Sequence, residues 1–168
     1  MATLVMSIEG VLTNNPPDSN ILTYESTGSG KVLYTLLRDT GRIVLLSTDH
    51  SKERVQAWLA RERFTRYADV HCYPRDSILS PDEWRAQHIK DLMGIGHHIS
   101  FYIDSDPKTL GMVMESGVDC LLVACPAVSQ RFKEKDQGYS PWYDLVETIE
   151  KQNTLRAAKD VGDEEEYA

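Results

Sequence analysis

Two rhythms of apolar and polar positions alternate along the chain. Five short runs rich in β-branched and aliphatic residues, 4–8, 43–47, 70–73, 99–103 and 120–123, are each bounded by turn-forming or charged residues and read as strands. The segments between them carry apolar residues at helical spacing. Residues 31–38 are expected to form a helix with Val32, Leu33, Leu36 and Leu37 on one face and Gly41 beyond its end. Over 51–63, Val55, Trp58 and Leu59 recur with charges opposite, the pattern of an amphipathic packing helix. The clearest start is Ser80-Pro81-Asp82-Glu83, which combines an N-cap serine, a proline at the first helical position and a capping-box glutamate. That helix carries Trp84, Ile89, Leu92 and Met93 and ends at Gly94. A fourth over 107–116 bears Leu110, Val113 and Met114, and a last over 141–159 bears Leu145, Val146 and Ile149. Strand and helix in this alternation predict an α/β domain, a five-stranded, mainly parallel sheet with helices on both faces in a three-layer, Rossmann-like arrangement.

Length adds that one domain is expected. The chain has 168 residues, 41% of them hydrophobic, enough for one core, so residues 1–159 are taken as the domain and 160–168 as a flexible acidic tail. No run approaches the roughly 18 apolar residues that span a bilayer, and no basic segment followed by an apolar one opens the chain. A soluble, cytoplasmic protein without a membrane partner is therefore expected. A net charge of -8 opposes nucleic-acid backbones, so no strong nucleic-acid-binding surface is expected. The one basic concentration, Lys52, Arg54, Arg61, Arg63 and Arg66, is interleaved with Glu53 and Glu62 and reads as a solvated helix face. Cys72, Cys120 and Cys125 lack metal-ligand spacing and are expected as buried free thiols.

Candidate chemistry follows from topology. Open parallel sheets gather ligands beyond the C-terminal ends of their strands. The residues there are Ser7 with Glu9, Ser47 with Thr48, and Asp104 with Ser105 and Asp106. A helix starting at Pro81 also begins at that edge, and its apolar stripe is centred near Arg85, whereas Lys90 points nearly opposite and lies about 7.5 Å further along. Of the two, Arg85 is thus the candidate basic residue of the site, and a guanidinium suits bidentate contact with an anion.

In order and spacing these residues resemble the haloacid dehalogenase-like superfamily of phosphatases over roughly residues 3–125. Its first strand ends in Asp-x-Asp-Gly, where this chain reads Ser7-Ile8-Glu9-Gly10. The stretch from Tyr102 to Leu110, with Gly117 to Val123, is similar to the phosphatase domain of polynucleotide kinases, and the Gly10-Val11-Leu12-Thr13 turn to that of sugar-phosphate phosphatases. The resemblance implies Ser7 and Glu9 as the catalytic positions, Ser47, Thr48 and Arg85 as phosphate ligands, and Asp104, Asp106 and Glu9 around Mg2+. It also implies an open site, because residues 14–30 are too few for a large cap domain.

Serine at the nucleophile position changes the expected chemistry. An aspartate attacks as an anion, whereas Ser7 needs a base to take its proton, for which Glu9 is the nearest candidate. A phosphoserine hydrolyses far less readily than an acyl phosphate, and one carboxylate fewer weakens a magnesium site. The expectation is a phosphatase-fold protein that binds a phosphorylated ligand or a protein partner with little or no turnover. The alternative is an active magnesium-dependent phosphatase acting on a nucleotide, a nucleic-acid end or a sugar phosphate. Gly28-Ser29-Gly30-Lys31 lacks the remaining positions of a phosphate-binding loop. His50, His97 and His98 read as surface residues, and Trp58, Trp84 and Trp142 as core or partner-facing anchors.

Overall fold

The structure, a computed structural model, describes residues 2–14 and 19–123 together with Lys151 and Thr154, both helical and exposed. Five strands, β1 (Thr3–Ser7), β2 (Arg42–Ser47), β3 (Asp69–Cys72), β4 (Ile99–Asp104) and β5 (Asp119–Leu122), pair in the order β3-β2-β1-β4-β5. Every pairing is parallel. Within residues 19–123 the helices are α1 (Gly28–Leu37), α2 (Lys52–Arg61), α3 (Pro81–Gly94) and α4 (Pro107–Met114), and a 3-10 turn covers Ile21–Thr23. The α/β reading and the parallel, Rossmann-like sheet expected from the pattern are therefore present. Among the described residues no helix is long and apolar enough to cross a membrane.

Alternation along the strands splits the core into two layers. Leu4, Met6, Ile43 and Leu45 pack with Val55, Trp58 and Leu59 of α2 and Tyr34 of α1. Val5, Val44, Leu46 and Tyr102 pack on the other face with Trp84, Ile89 and Leu92 of α3 and Leu110 and Val113 of α4. Each large side chain buried this way contributes about 1.5–3 kcal/mol. All of β1 is buried, as a strand central to a sheet covered on both faces requires.

Helix α1 departs from expectation in two ways. It begins at Gly28, not at Lys31, because the Thr27 side chain caps it by accepting from the Gly30 N–H at 3.0 Å. A Cβ on Gly30 would lie 2.5 Å from the Val11 carbonyl oxygen and 2.8 Å from the Leu12 Cα, so glycine serves close packing here. Its inward face is also rotated: Gly30 and Tyr34 are buried, whereas Val32 and Leu36 are 61% and 67% exposed. Tyr34 fixes that rotation, donating to the Thr65 carbonyl at 2.8 Å and meeting Phe64 edge to face.

The basic residues around α2 are engaged locally. Lys52 pairs with Asp69 at 2.9 Å, Arg54 with Asp49 at 3.8 Å, Arg61 with Glu62 at 2.9 Å and Arg66 with Asp39 at 2.9 Å. Cys72 and Cys120 are free and half-buried, each thiol pushed up to about 12 by burial. Cys125, Trp142, most of the helix expected over 141–159 and the acidic tail lie outside the described residues.

Candidate functional site

The parallel register places the ends of β1, β2 and β4 side by side, with Ser7 opposite Leu46 and Met6 opposite Ile103. Beyond Ser7 the chain turns tightly: Leu12 and Thr13 N–H groups both return to the Ile8 carbonyl, and Gly10 takes a φ of 87°. A left-handed φ of that kind favours glycine, which accounts for the Glu9-Gly10 pair. The turn holds Glu9 beside the end of β2.

Glu9 does not face Ser7. Its carboxylate accepts from Ser47 Oγ at 2.6 Å and from the Thr48 N–H at 3.1 Å. Ser7 Oγ donates instead to the Glu9 main-chain carbonyl at 3.2 Å. The expected base–nucleophile pair is thus not assembled, because the long glutamate side chain reaches the donors on the neighbouring strand. Burial raises the Glu9 carboxyl above its usual range, against the lowering effect of Ser47 and Thr48.

Arg85 lies where its helix face places it. It is buried at 7% exposure, while Lys90 is exposed. Its Nη1 donates to Ser7 Oγ at 3.3 Å, and its Nη2 donates to Asp106 Oδ2 at 3.2 Å and Thr109 Oγ1 at 3.3 Å. Nε stands 3.6 Å from Asp104 Oδ2, an ion pair without a hydrogen bond, and Nε is a buried donor with no partner. Burial works against the guanidinium charge, but Asp104, Tyr102, Asp106 and Glu9 outweigh it and hold Arg85 protonated.

Asp104 is wholly buried and fully used. Its Oδ1 accepts from the Ser105 and Asp106 N–H groups at 2.7 and 3.2 Å, and its Oδ2 accepts from the Tyr102 hydroxyl beside Arg85. Burial raises its carboxyl, with Arg85 opposing. Asp106 caps α4 by accepting from the Lys108 N–H at 3.1 Å, and Thr109 Oγ1 donates to it at 2.8 Å.

Magnesium requires near-octahedral oxygens at about 2.0–2.1 Å. As arranged, the oxygens of Asp104, Asp106 and Glu9 accept protein N–H and O–H groups, and a guanidinium stands between Ser7 and the two aspartates. So arranged, this set is built around a resident arginine cation.

The structure therefore brings Ser7, Arg85, Asp104 and Asp106 into one network and Glu9, Ser47 and Thr48 into an adjoining one. Two contributors escaped the sequence reading. Tyr102 precedes Asp104 by two residues on one strand face, and Thr109 follows the Asp106 cap by three, spacings that would have revealed both. His50 is exposed and donates from Nδ1 to the Tyr73 carbonyl at 2.7 Å. His98 is exposed and His97 half-buried.

No family model matches the chain, and no curated protein matches it. Solved structures do, among them one described as the Pnkp1/Rnl/Hen1 RNA repair complex and another as the Pnkp1/Rnl/Hen1 complex. Each of these two likenesses has a TM-score of 0.60 at 14% identity and covers 73% of this chain. The matched chains are longer, covered over 42% and 45% of their length, so the likeness establishes a shared fold.

Proposed function

We propose that this chain is a phosphatase-fold protein that binds a phosphorylated ligand at the ends of β1, β2 and β4 with little or no turnover. The observation that carries the reading is the placement of Glu9: its carboxylate occupies Ser47 Oγ and the Thr48 N–H, turned away from the Ser7 hydroxyl, which donates to the Glu9 main-chain carbonyl. By the superfamily resemblance those donors are the phosphate ligands. Glu9 is then an internal anion standing where phosphoryl oxygens would be held, and a ligand enters by displacing it. Arg85, aimed at Ser7, supplies the permanent positive charge for that ligand. The likeness to chains of an RNA repair complex supports a phosphorylated nucleic-acid end as the ligand class.

The test separates binding from turnover. Phosphate release from p-nitrophenyl phosphate and from phosphorylated oligonucleotides is expected to equal that of Ser7→Ala, with magnesium or with chelator. Tungstate, read by calorimetry, is expected to bind about tenfold more tightly to Glu9→Ala and about tenfold more weakly to Ser47→Ala, the scale of one charge-assisted hydrogen bond. Release that disappears in Ser7→Ala would establish an enzyme and sink the proposal. Tungstate affinity unchanged in both other variants would remove the site from these residues.

A further inference from the structure

Edge strand β3 and helix α3 bring two imidazoles together outside the contacts of the Ser7 network. His88 Nε2 lies 2.8 Å from His71 Nδ1, and the ring centroids are 4.6 Å apart. The other nitrogen of His71, Nε2, is 3.2 Å from Asp69 Oδ2, while Asp69 Oδ1 accepts from Lys52 Nζ at 2.9 Å. A carboxylate only accepts, so the proton of neutral His71 sits on Nε2 and a bare lone pair on Nδ1. His88 meets that lone pair through Nε2–H, its ring stacked on Trp84 at 5.3 Å and 24°. Both rings are half-buried, within reach of solvent.

We infer that His71 Nδ1 and His88 Nε2 form a two-nitrogen site for a divalent ion of the zinc, nickel or copper class, water completing the coordination. A tetrahedral ion with bonds of about 2.0–2.1 Å holds two nitrogens roughly 3.3 Å apart, so the pair opens by about half an ångström to admit one. The only proton movement is within His88, from Nε2 to Nδ1, which leaves both rings neutral and changes no net charge. Asp69 behind His71 supplies the carboxylate that orients and enriches a metal-bound imidazole. Burial lowers both histidines below their usual range. The other charges acting on the pair are Lys52 and His97 on His71, and Asp91 on His88. Among the described residues no three ligating side chains cluster. The site is therefore an exchangeable one whose preference follows the general order, copper above nickel and zinc.

Calorimetric titration of the full chain with zinc chloride tests this, repeated with nickel and copper. A single ion per chain is expected. Binding is lost in His71→Ala and in His88→Gln, which keeps much of the ring's volume, and weakens about 10–100-fold in Asp69→Asn. It is unchanged in His97→Ala and His98→Ala. A second readout is the zinc-induced rise in Tm of the unsubstituted chain, which ligand binding to the folded state requires and His88→Gln should lack. Absence of stoichiometric binding to the unsubstituted chain, binding that survives His88→Gln, or loss caused by His97→Ala would each overturn the assignment.

Discussion

Helices α2 and α3 lie on opposite faces of the same sheet and start alike, with a serine N-cap accepting from the third residue onward. Each carries a buried tryptophan, Trp58 at 0% and Trp84 at 7% exposure. They differ in what else they bury. The stripe of α2 is Val55, Trp58 and Leu59, whereas α3 buries Arg85 among Trp84, Ala86, Ile89 and Leu92. The α2 face adds to its apolar stripe only neutral hydrogen bonds from Trp58 to the Tyr24 carbonyl and from Tyr34 to the Thr65 carbonyl, both 2.8 Å, whereas the α3 face encloses a cation that must be answered by carboxylates. A charged residue at the centre of an apolar stripe marks the face that must carry compensating carboxylates, because an uncompensated buried charge is too costly to persist.

The widest separation between the faces is expected from their central residues. Trp58→Ala and Arg85→Ala should each cost about 3–5 kcal/mol in urea unfolding, the first by a cavity and the second by stranding Asp104. Only the second has a partner-specific rescue: Asp104→Asn in the Arg85→Ala background should recover about 1–3 kcal/mol. Strict additivity would erase the distinction between the two faces.

Two buried tyrosines make a finer comparison. Tyr102→Phe removes a hydroxyl from a buried carboxylate and should cost about 1.5–3 kcal/mol, while Tyr34→Phe removes one from a neutral carbonyl and should cost about 0.5–1.5 kcal/mol. Equal losses in denaturant melts would mean that the Tyr102 hydroxyl gives Asp104 no more than a neutral hydrogen bond gives.

Acidity should also divide the faces. Burial raises Asp104, so its share of stability is complete below its unfolded value of 3.8 and is lost as pH rises through the raised folded value. Glu62, at the C-terminal end of α2, is lowered to about 2, first by its hydrogen bond from Ser26. Its share is complete above its unfolded value of 4.5 and is lost as pH falls towards 2. In Tm measured against pH, Asp104→Asn should flatten the decline towards neutrality and Glu62→Gln the decline into acid; exchanged effects would contradict both assignments. The smallest effects belong to the shared feature: Ser51→Ala and Ser80→Ala should each cost about 1 kcal/mol, since caps act at helix ends whatever face lies beneath.

Most of the fold was legible because strands buried on both faces and helices buried on one leave strong periodic signals. The capping box at Ser80 located α3 to the residue. At α1 the signal failed for a tertiary reason: Gly-Ser-Gly reads as a breaker, yet Gly30 is required where the helix meets the turn after β1. Within the site, the burial of Arg85 followed from helical geometry, since a stripe direction is a local property. The direction of Glu9 did not, because it depends on an adjacent strand 38 residues away in sequence, and no local spacing records that contact. Likewise the His71–His88 contact joins residues 17 apart on different elements, and neither position is distinctive alone.

The position of β1 between β2 and β4 sets an order of events during synthesis. The central strand emerges before both of its neighbours, and one of these spans Ile99–Asp104, so a long nascent chain exists before the sheet can close. Until then Thr3–Ser7, buried on every residue in the finished domain, presents one open hydrogen-bonding edge. Parallel pairing at such separation is slow. A chain released before β4 has emerged therefore displays this strand as a template for other chains, and a vulnerability to aggregation lies in β1.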